Sequence, residues 1–350
     1  MMPAYSDDFI EVALAADHNY IVGLTVAAYS IACYCNPANG LRFHFLFSGF
    51  TEEEKADIRR LLISAKNNCE VCYYDVSDVD LSELPIYASS RMTYARLLLP
   101  KLLSDLRYVI YADVDMLWLD DISDLWELRG HVGLVSCVRE QSEKTKDIEE
   151  SWFVSNGKEF NRDNYFCAGV SFYNLAAIRS TNVFETVFDF GRRFRGFNCA
   201  DQSMMYGAIG NQVGMLPDRW QSLPRNGIKV SPGEGVVLHY AGEVPWRCTH
   251  ITRMITDTQL LWFHACAIAF GESVWRSLRR FYSARRIVLS RLVFLLMFRV
   301  WPIDILSRFL LRMIGVKSFD ERLPGYRLYL SRLAKRSHTE SIADSSSTAI

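Results

Sequence analysis

Two aspartates one residue apart, Asp113 and Asp115, close the apolar run Tyr108-Val-Ile-Tyr-Ala112. Such a run reads as a buried strand. Carboxylates at its end suit a hard divalent cation such as Mg²⁺ or Mn²⁺, which can in turn hold a diphosphate. The same D-x-D also describes a solvated turn, where Asp is common. Its company elsewhere in the chain decides between the two. Polar, potentially ligand-facing residues also end or open other apolar segments, at Ala15-Ala-Asp-His-Asn-Tyr20, Asp201-Gln202 and His239-Tyr-Ala-Gly242.

The elements needed to position these groups are legible as an alternation. Phe9 to Ala16 reads as a first strand, Asp17 to Tyr20 as a polar turn, and Ile21 to Cys33 as a helix with Leu24, Ala27, Ala28 and Ile31 on its apolar face. Arg42 to Phe47 reads as a second strand. Thr51-Glu-Glu-Glu54 resembles a capping box opening a helix through Leu62. Val71 to Asp75 gives a third strand, Thr93 to Leu103 a helix, and Tyr108 to Ala112 the fourth strand. The order β-α-β-α predicts an α/β domain, a mostly parallel sheet covered by helices, with ligands at the carboxyl ends of the strands. Beyond it, strands are expected over Gly133 to Cys137, Val170 to Tyr173 and Gly235 to His239. Helices are expected over Phe184 to Arg193 and from about Asp201.

Half of the 350 residues are hydrophobic and the net charge is −1, a globular composition. The balance hides an asymmetry. Residues Gly271 to Arg336 carry 15 Lys and Arg against 4 Asp and Glu, a net of +11, so the rest carries −12. A basic end on an acidic body points to an anionic surface as partner. Nine scattered cysteines and an opening Met1 to Asp8 without basic and apolar signal regions favour the reducing cytoplasm. The pair Cys69-Glu-Val-Cys72 lacks a second pair at zinc spacing and is expected to be structural.

Together with Thr93-Tyr-Ala-Arg96 and Ala168-Gly-Val-Ser-Phe-Tyr-Asn-Leu175, the polar blocks resemble glycosyltransferase family 8 in order and spacing over Phe9 to Arg247. The resemblance implies a GT-A fold, Rossmann-like with helices on both faces, and retaining transfer from a UDP-hexose. It implies that Ala15, Asp17, Asn19 and Tyr20 meet the uracil and ribose. Asp113 and Asp115, with Val114 between them, match the family's D-x-D, and His239 matches the histidine that completes a Mn²⁺ (or Mg²⁺) site. Arg96 matches a basic residue facing donor phosphate or sugar, although a salt bridge is an equal reading of an Arg there. Ala168, Gly169 and Gly242 match donor-binding positions. Asp201 and Gln202 match the catalytic pair: Asp201 on sugar hydroxyls, Gln202 on the anomeric carbon, where its amide oxygen stabilises positive charge. Asp201 also fits an N-cap. With no strong carboxylate nucleophile evident, front-face retention is preferred over double displacement.

Three positions depart from the family. Cys167 stands where Asn often precedes Ala-Gly, Ser203 replaces the last carboxylate of Asp-Gln-Asp, and Gly242-Glu-Val-Pro-Trp246 lacks the Lys before Pro-Trp. Arg247 is a candidate substitute. A catalytically silent nucleotide-sugar-binding membrane protein is therefore one alternative. A sugar nucleotidyltransferase is another, but Ala13 to Tyr20 has no Gly-rich phosphate loop.

Residues 1–270 are expected to form the transferase domain, 271–336 a basic amphipathic helical region, and 337–350 a disordered tail rich in Ser and Thr. Ile287 to Phe298 is apolar but interrupted by Arg291, and Pro302 follows, so it is too short to span a bilayer. An interfacial helix with snorkelling arginines fits better. The protein is thus expected on the cytoplasmic face of the cell membrane, transferring galactose or glucose to a membrane-associated glycan or glycolipid such as a lipopolysaccharide core. The basic end lacks the interleaved aromatics of a nucleic-acid module, so no nucleic-acid partner is expected.

Overall fold

Alternating apolar residues of Phe9–Asp17 (β1) point to opposite sides of one sheet and are buried on both, which is why the strand reads as a continuous apolar run. The structure is a computed structural model, and it describes residues 9–86, 91–224, 236–242, 244–247 and 256–289. The further strands are β2 (Gly40–Ser48), β3 (Cys69–Asp75), β4 (Tyr108–Ala112), β5 (Met116–Trp118), β6 (Val135–Arg139), β7 (Phe166–Asn174), β8 (Val213–Leu216) and β9 (Val237–His239). The helices are α1 (Ile21–Tyr34), α2 (Glu52–Ala65), α3 (Leu99–Leu102), α4 (Ile122–Trp126), α5 (Glu143–Ser155), α6 (Leu175–Thr181), α7 (Val183–Arg193), α8 (Ala200–Ile209), α9 (Asp257–Ala269) and α10 (Val274–Phe281).

Seven strands form the sheet in the order β3-β2-β1-β4-β7-β6-β8. β1 runs parallel to β2 over nine residue pairs, from Phe9↔Gly40 to Asp17↔Ser48, and parallel to β4 on its other side. β7 lies antiparallel between β4 and β6. The chain moves outward from β1 to β2 and β3, then crosses back to place β4 on the opposite flank. A crevice therefore opens between the carboxyl ends of β1 and β4, the place where such sheets bind ligands. Asp17 ends β1 and Asp113 follows β4 there.

One core fills the face under α1 and α2, with Phe43, Phe45 and Leu62 buried. A second fills the opposite face, with Phe153, Val187 and Met204. Each such side chain contributes roughly 1.5–3 kcal/mol relative to exposure. A third cluster joins Trp246 to Trp262 and Phe263 of α9, and Leu278 of α10 packs with them. The capping box at Thr51 forms: its hydroxyl accepts the Glu54 amide at 3.2 Å and Glu54 Oε2 accepts the Thr51 amide at 2.8 Å.

Local details differ from the sequence expectations. Thr93 to Leu103 is split into a tight 3₁₀ turn over Met92–Leu98 and the single turn of α3. Strand β7 starts four residues earlier than expected, because Phe166 and Cys167 pair onward with Arg139 and Val138 of β6 beyond a bulge. Cys69 and Cys72 are free thiols on β3. Among the described residues no helix is long and apolar enough to cross a membrane. Most of the expected interfacial segment, from residue 290, and the tail lie outside the described residues.

Candidate active site

The D-x-D motif works through strand geometry. The Asp113 amide bonds to the Gly169 carbonyl at 2.8 Å, which fixes the end of β4 against β7. Three residues later, at Met116, β5 begins and pairs antiparallel with β9, Met116 opposite His239. That three-pair ribbon closes a sequence gap of more than a hundred residues. The Tyr240 amide bonds to the Asp115 carbonyl at 2.9 Å and so seals the join.

His239 Nε2 consequently lies 3.2 Å from Asp115 Oδ1 and 3.8 Å from Asp113 Oδ2. One ligand atom from each of the three residues falls within 4.8 Å of the others. Two carboxylates and an imidazole at this separation form a donor set that suits a divalent cation. The other ring nitrogen, Nδ1, faces Cys167 Sγ at 3.9 Å. Gly169 is required here: a Cβ on it would come within 2.5 Å of His239 Cε1 and 2.7 Å of Met116 Cε. Burial raises the Asp113 carboxyl to about 6, with Arg96 opposing and Asp115 adding to the rise. Burial acts to lower the His239 imidazole, but the adjacent Asp115 carboxylate outweighs it and holds the ring well above its ordinary value. A bound dication would reverse this pattern and favour unprotonated ligands.

Arg96 is buried and fully engaged. Its Nη2 binds Asp113 Oδ1 at 2.5 Å, its Nε pairs with Asp201 Oδ2 at 3.0 Å, and its Nη1 donates to the Ala168 carbonyl. The guanidinium stacks 4.3 Å from the Tyr111 ring centre. It therefore ties the end of β4 to α8. Asp201 is not the N-cap of α8. Cys199 takes that place and Asp201 lies in the first turn, where its carboxylate accepts from the Thr93 hydroxyl. Burial raises the Asp201 carboxyl, with Arg96 opposing. Gln202 Oε1 accepts the Ala168 amide at 3.1 Å, and its Nε2 lies 3.5 Å from Glu140 Oε2.

These groups share one cavity of about 560 Å³, within the usual size for small-molecule sites. Ala15, Asp17, Tyr20, Arg96, Asp113, Val114, Asp115, Ala168, Gly169, Asp201, Gln202, His239 and Gly242 all line it. Asn19 does not. It is exposed, and its amide donates to Asp17 Oδ1 at 2.9 Å in the turn after β1. Arg247 also lines the cavity, with Nη1 3.0 Å from the Tyr20 hydroxyl and the guanidinium 4.3 Å above the ring centre. One lining carboxylate went unmarked in the sequence, Glu140, which is buried after β6 and accepts the Ser142 amide at 2.7 Å. Its sole sequence signal is an acidic residue directly after a strand.

Residues 11–250 match the family described as Glycosyl transferase family 8. The chain belongs to that family and is a glycosyltransferase. A Haemophilus influenzae protein named only as a glycosyltransferase is 24% identical over 255 residues, covering 69% of this chain and 75% of its own. Galacturonosyltransferase-like 3 of Arabidopsis thaliana is 25% identical over 268 residues, covering 69% and 76%. The crystal structure of the galactosyltransferase LgtC with donor and acceptor sugar analogues superposes with a TM-score of 0.58 at 23% identity, covering 74% of this chain and 95% of LgtC. The GT-A fold is thus shared.

Proposed function

We propose that this chain is a retaining, divalent-metal-dependent transferase that moves galactose or glucose from a UDP-hexose to a membrane-associated glycan such as a lipopolysaccharide core. The observation that carries the reading is the convergence of Asp113, Asp115 and His239 from distant segments. These three would hold Mn²⁺ or Mg²⁺, which when bound supplies charge neutralisation for the diphosphate. Asp17 and Tyr20 border the nucleoside end of the cavity, and Arg247 offers a cation beside Tyr20 where the family Lys is missing. Gln202, pinned by the Ala168 amide, keeps a lone pair on Oε1 for the anomeric carbon. Asp201, neutralised by Arg96, is left to accept from sugar hydroxyls. The acceptor hydroxyl attacks from the face that the diphosphate leaves, and the departing phosphate oxygen takes its proton.

The membrane part of the reading rests on the basic end. α10 carries Arg276, Arg279 and Arg280 beside the half-exposed Trp275, and Val288 and Leu289 are exposed just beyond. Residues 271–336 would dock on anionic lipid at the cytoplasmic face, with 1–270 as the transferase domain and 337–350 as a tail.

A screen of UDP-sugars for Mn²⁺-dependent hydrolysis by the purified full chain tests the reaction without the acceptor. One UDP-hexose is expected to turn over, and Asp113→Ala or Asp115→Ala to lower that rate at least a hundredfold. Binding without turnover of any UDP-sugar would favour a silent binding protein.

A further inference from the structure

Helix α8 carries Asp201 and Gln202, yet it starts poorly. Its N-cap, Cys199, makes no side-chain cap, and its first residue, Ala200, has φ of 44°. That is left-handed backbone, which a residue with a Cβ adopts only where its surroundings hold it. Glu149, on the buried side of α5, does the holding. The residue is 0% exposed. Its Oε1 accepts the backbone amides of Asn198 at 2.8 Å and Cys199 at 3.0 Å, and its Oε2 accepts the Ser203 hydroxyl at 2.8 Å. Ser203 Oγ accepts the Cys199 amide at 3.1 Å, so the group closes on itself.

Among the described residues Glu149 has no cation within ion-pair distance. A carboxylate buried without a cation is tolerated only when its oxygens are fully hydrogen-bonded. Burial raises its carboxyl, and the Ser203, Asn198 and Cys199 bonds oppose the rise. It does not itself line the cavity, but Asn198 and Cys199, whose amides it holds, do. Its bonds reach two residues just before Asp201, Asn198 and Cys199, and the one after Gln202, Ser203.

We propose that Glu149 is a positioning residue: it clamps the strained corner at Asn198–Ala200 so that Asp201 and Gln202 face the donor sugar. The proposal rests on the roles given above to those two residues. Ser203 fits the same picture. It stands where the family has a carboxylate, and here a carboxylate reaches it from α5 behind the helix.

The test uses the full chain as wild type, Glu149→Ala and Glu149→Gln. It measures Mn²⁺-dependent UDP-hexose hydrolysis, UDP affinity by calorimetry with Mn²⁺, and thermal melting. Glu149→Ala is expected to lower kcat at least tenfold, with KM and UDP affinity within twofold of wild type. Glu149→Gln, which keeps an oxygen for the two amides, is expected to recover at least a third of wild-type kcat. An unchanged kcat in folded Glu149→Ala, or an equal loss of UDP affinity, would overturn the proposal. If Glu149→Ala does not fold, Ser203→Ala carries the test: about a threefold fall in kcat is expected, and an unchanged kcat overturns it. Failure of the underlying site reading would look different, with Gln202→Ala turning over at the wild-type rate.

Discussion

The cavity has two walls built on different principles. The strand wall (Asp17, Asp113, Asp115 and His239) is set by backbone register: the parallel strands β1 and β4 point their carboxyl ends to the same edge, and the β5–β9 ribbon lifts His239 to Asp115. The helix wall (Asp201 and Gln202) is set by side chains: Arg96 in front, Glu149 behind and Glu140 beside. A backbone-built wall tolerates change in its neighbours, because the main chain bonds pair regardless of side chain. A side-chain-built wall does not, since each removed partner leaves a buried polar group unpaired.

Arg96 belongs to both walls, so its loss is the harshest test of that contrast. Arg96→Met would leave Asp201 and Asp113 facing each other without their cation. Breaking a buried pair in this way costs about 3–5 kcal/mol. We expect a clear fall in the denaturation midpoint and loss of turnover. If Arg96→Met melts like wild type, the walls do not depend on their shared cation.

A smaller effect separates the walls by pH. The strand wall holds protons when metal-free, because Asp113 is raised to about 6 and His239 well above its ordinary value. Metal ligation needs both unprotonated, so binding releases protons and affinity must rise with pH. Calorimetric titration with Mn²⁺ and UDP should show tighter binding at pH 8 than at pH 6. A flat profile would mean that these groups do not ligate.

The smallest expected effect concerns the rim. Arg247 is exposed and meets Tyr20 through a hydrogen bond and a cation–π contact. Such contacts are worth about 0.5–1 kcal/mol at exposed sites. Arg247→Ala is expected to weaken UDP binding about two- to fivefold. A loss of a hundredfold would make Arg247 a main diphosphate ligand.

Legibility in the sequence follows the same division. The strand wall was visible because its strands are apolar runs that stop at polar residues, and β1 to β4 fall close to their expected bounds. The strand ending at His239 was expected from the residues, but the ligand role of His239 was reached through family resemblance, since a lone His at a strand end is more often a core or surface residue. Of the supports of the helix wall, Arg96 was singled out, with a salt bridge among its readings, but Glu140 and Glu149 were not. Glu140 and Glu149 sit in the charged stretch Arg139 to Glu150, which reads as a solvated helix face, and only tertiary packing shows that these two point inward. The cap of α8 misled for a related reason: Asp201 has the residue type of an N-cap, but its carboxylate is drawn away to Arg96 and Thr93.

Metal binding itself is the most direct test of the whole account. Calorimetry with Mn²⁺ in the presence of UDP, on wild type and Asp115→Asn, reads it without any acceptor. Wild type should bind one ion per chain and Asp115→Asn should lose at least a hundredfold in affinity. Equal affinity in the two proteins would contradict a shared ion at Asp113, Asp115 and His239.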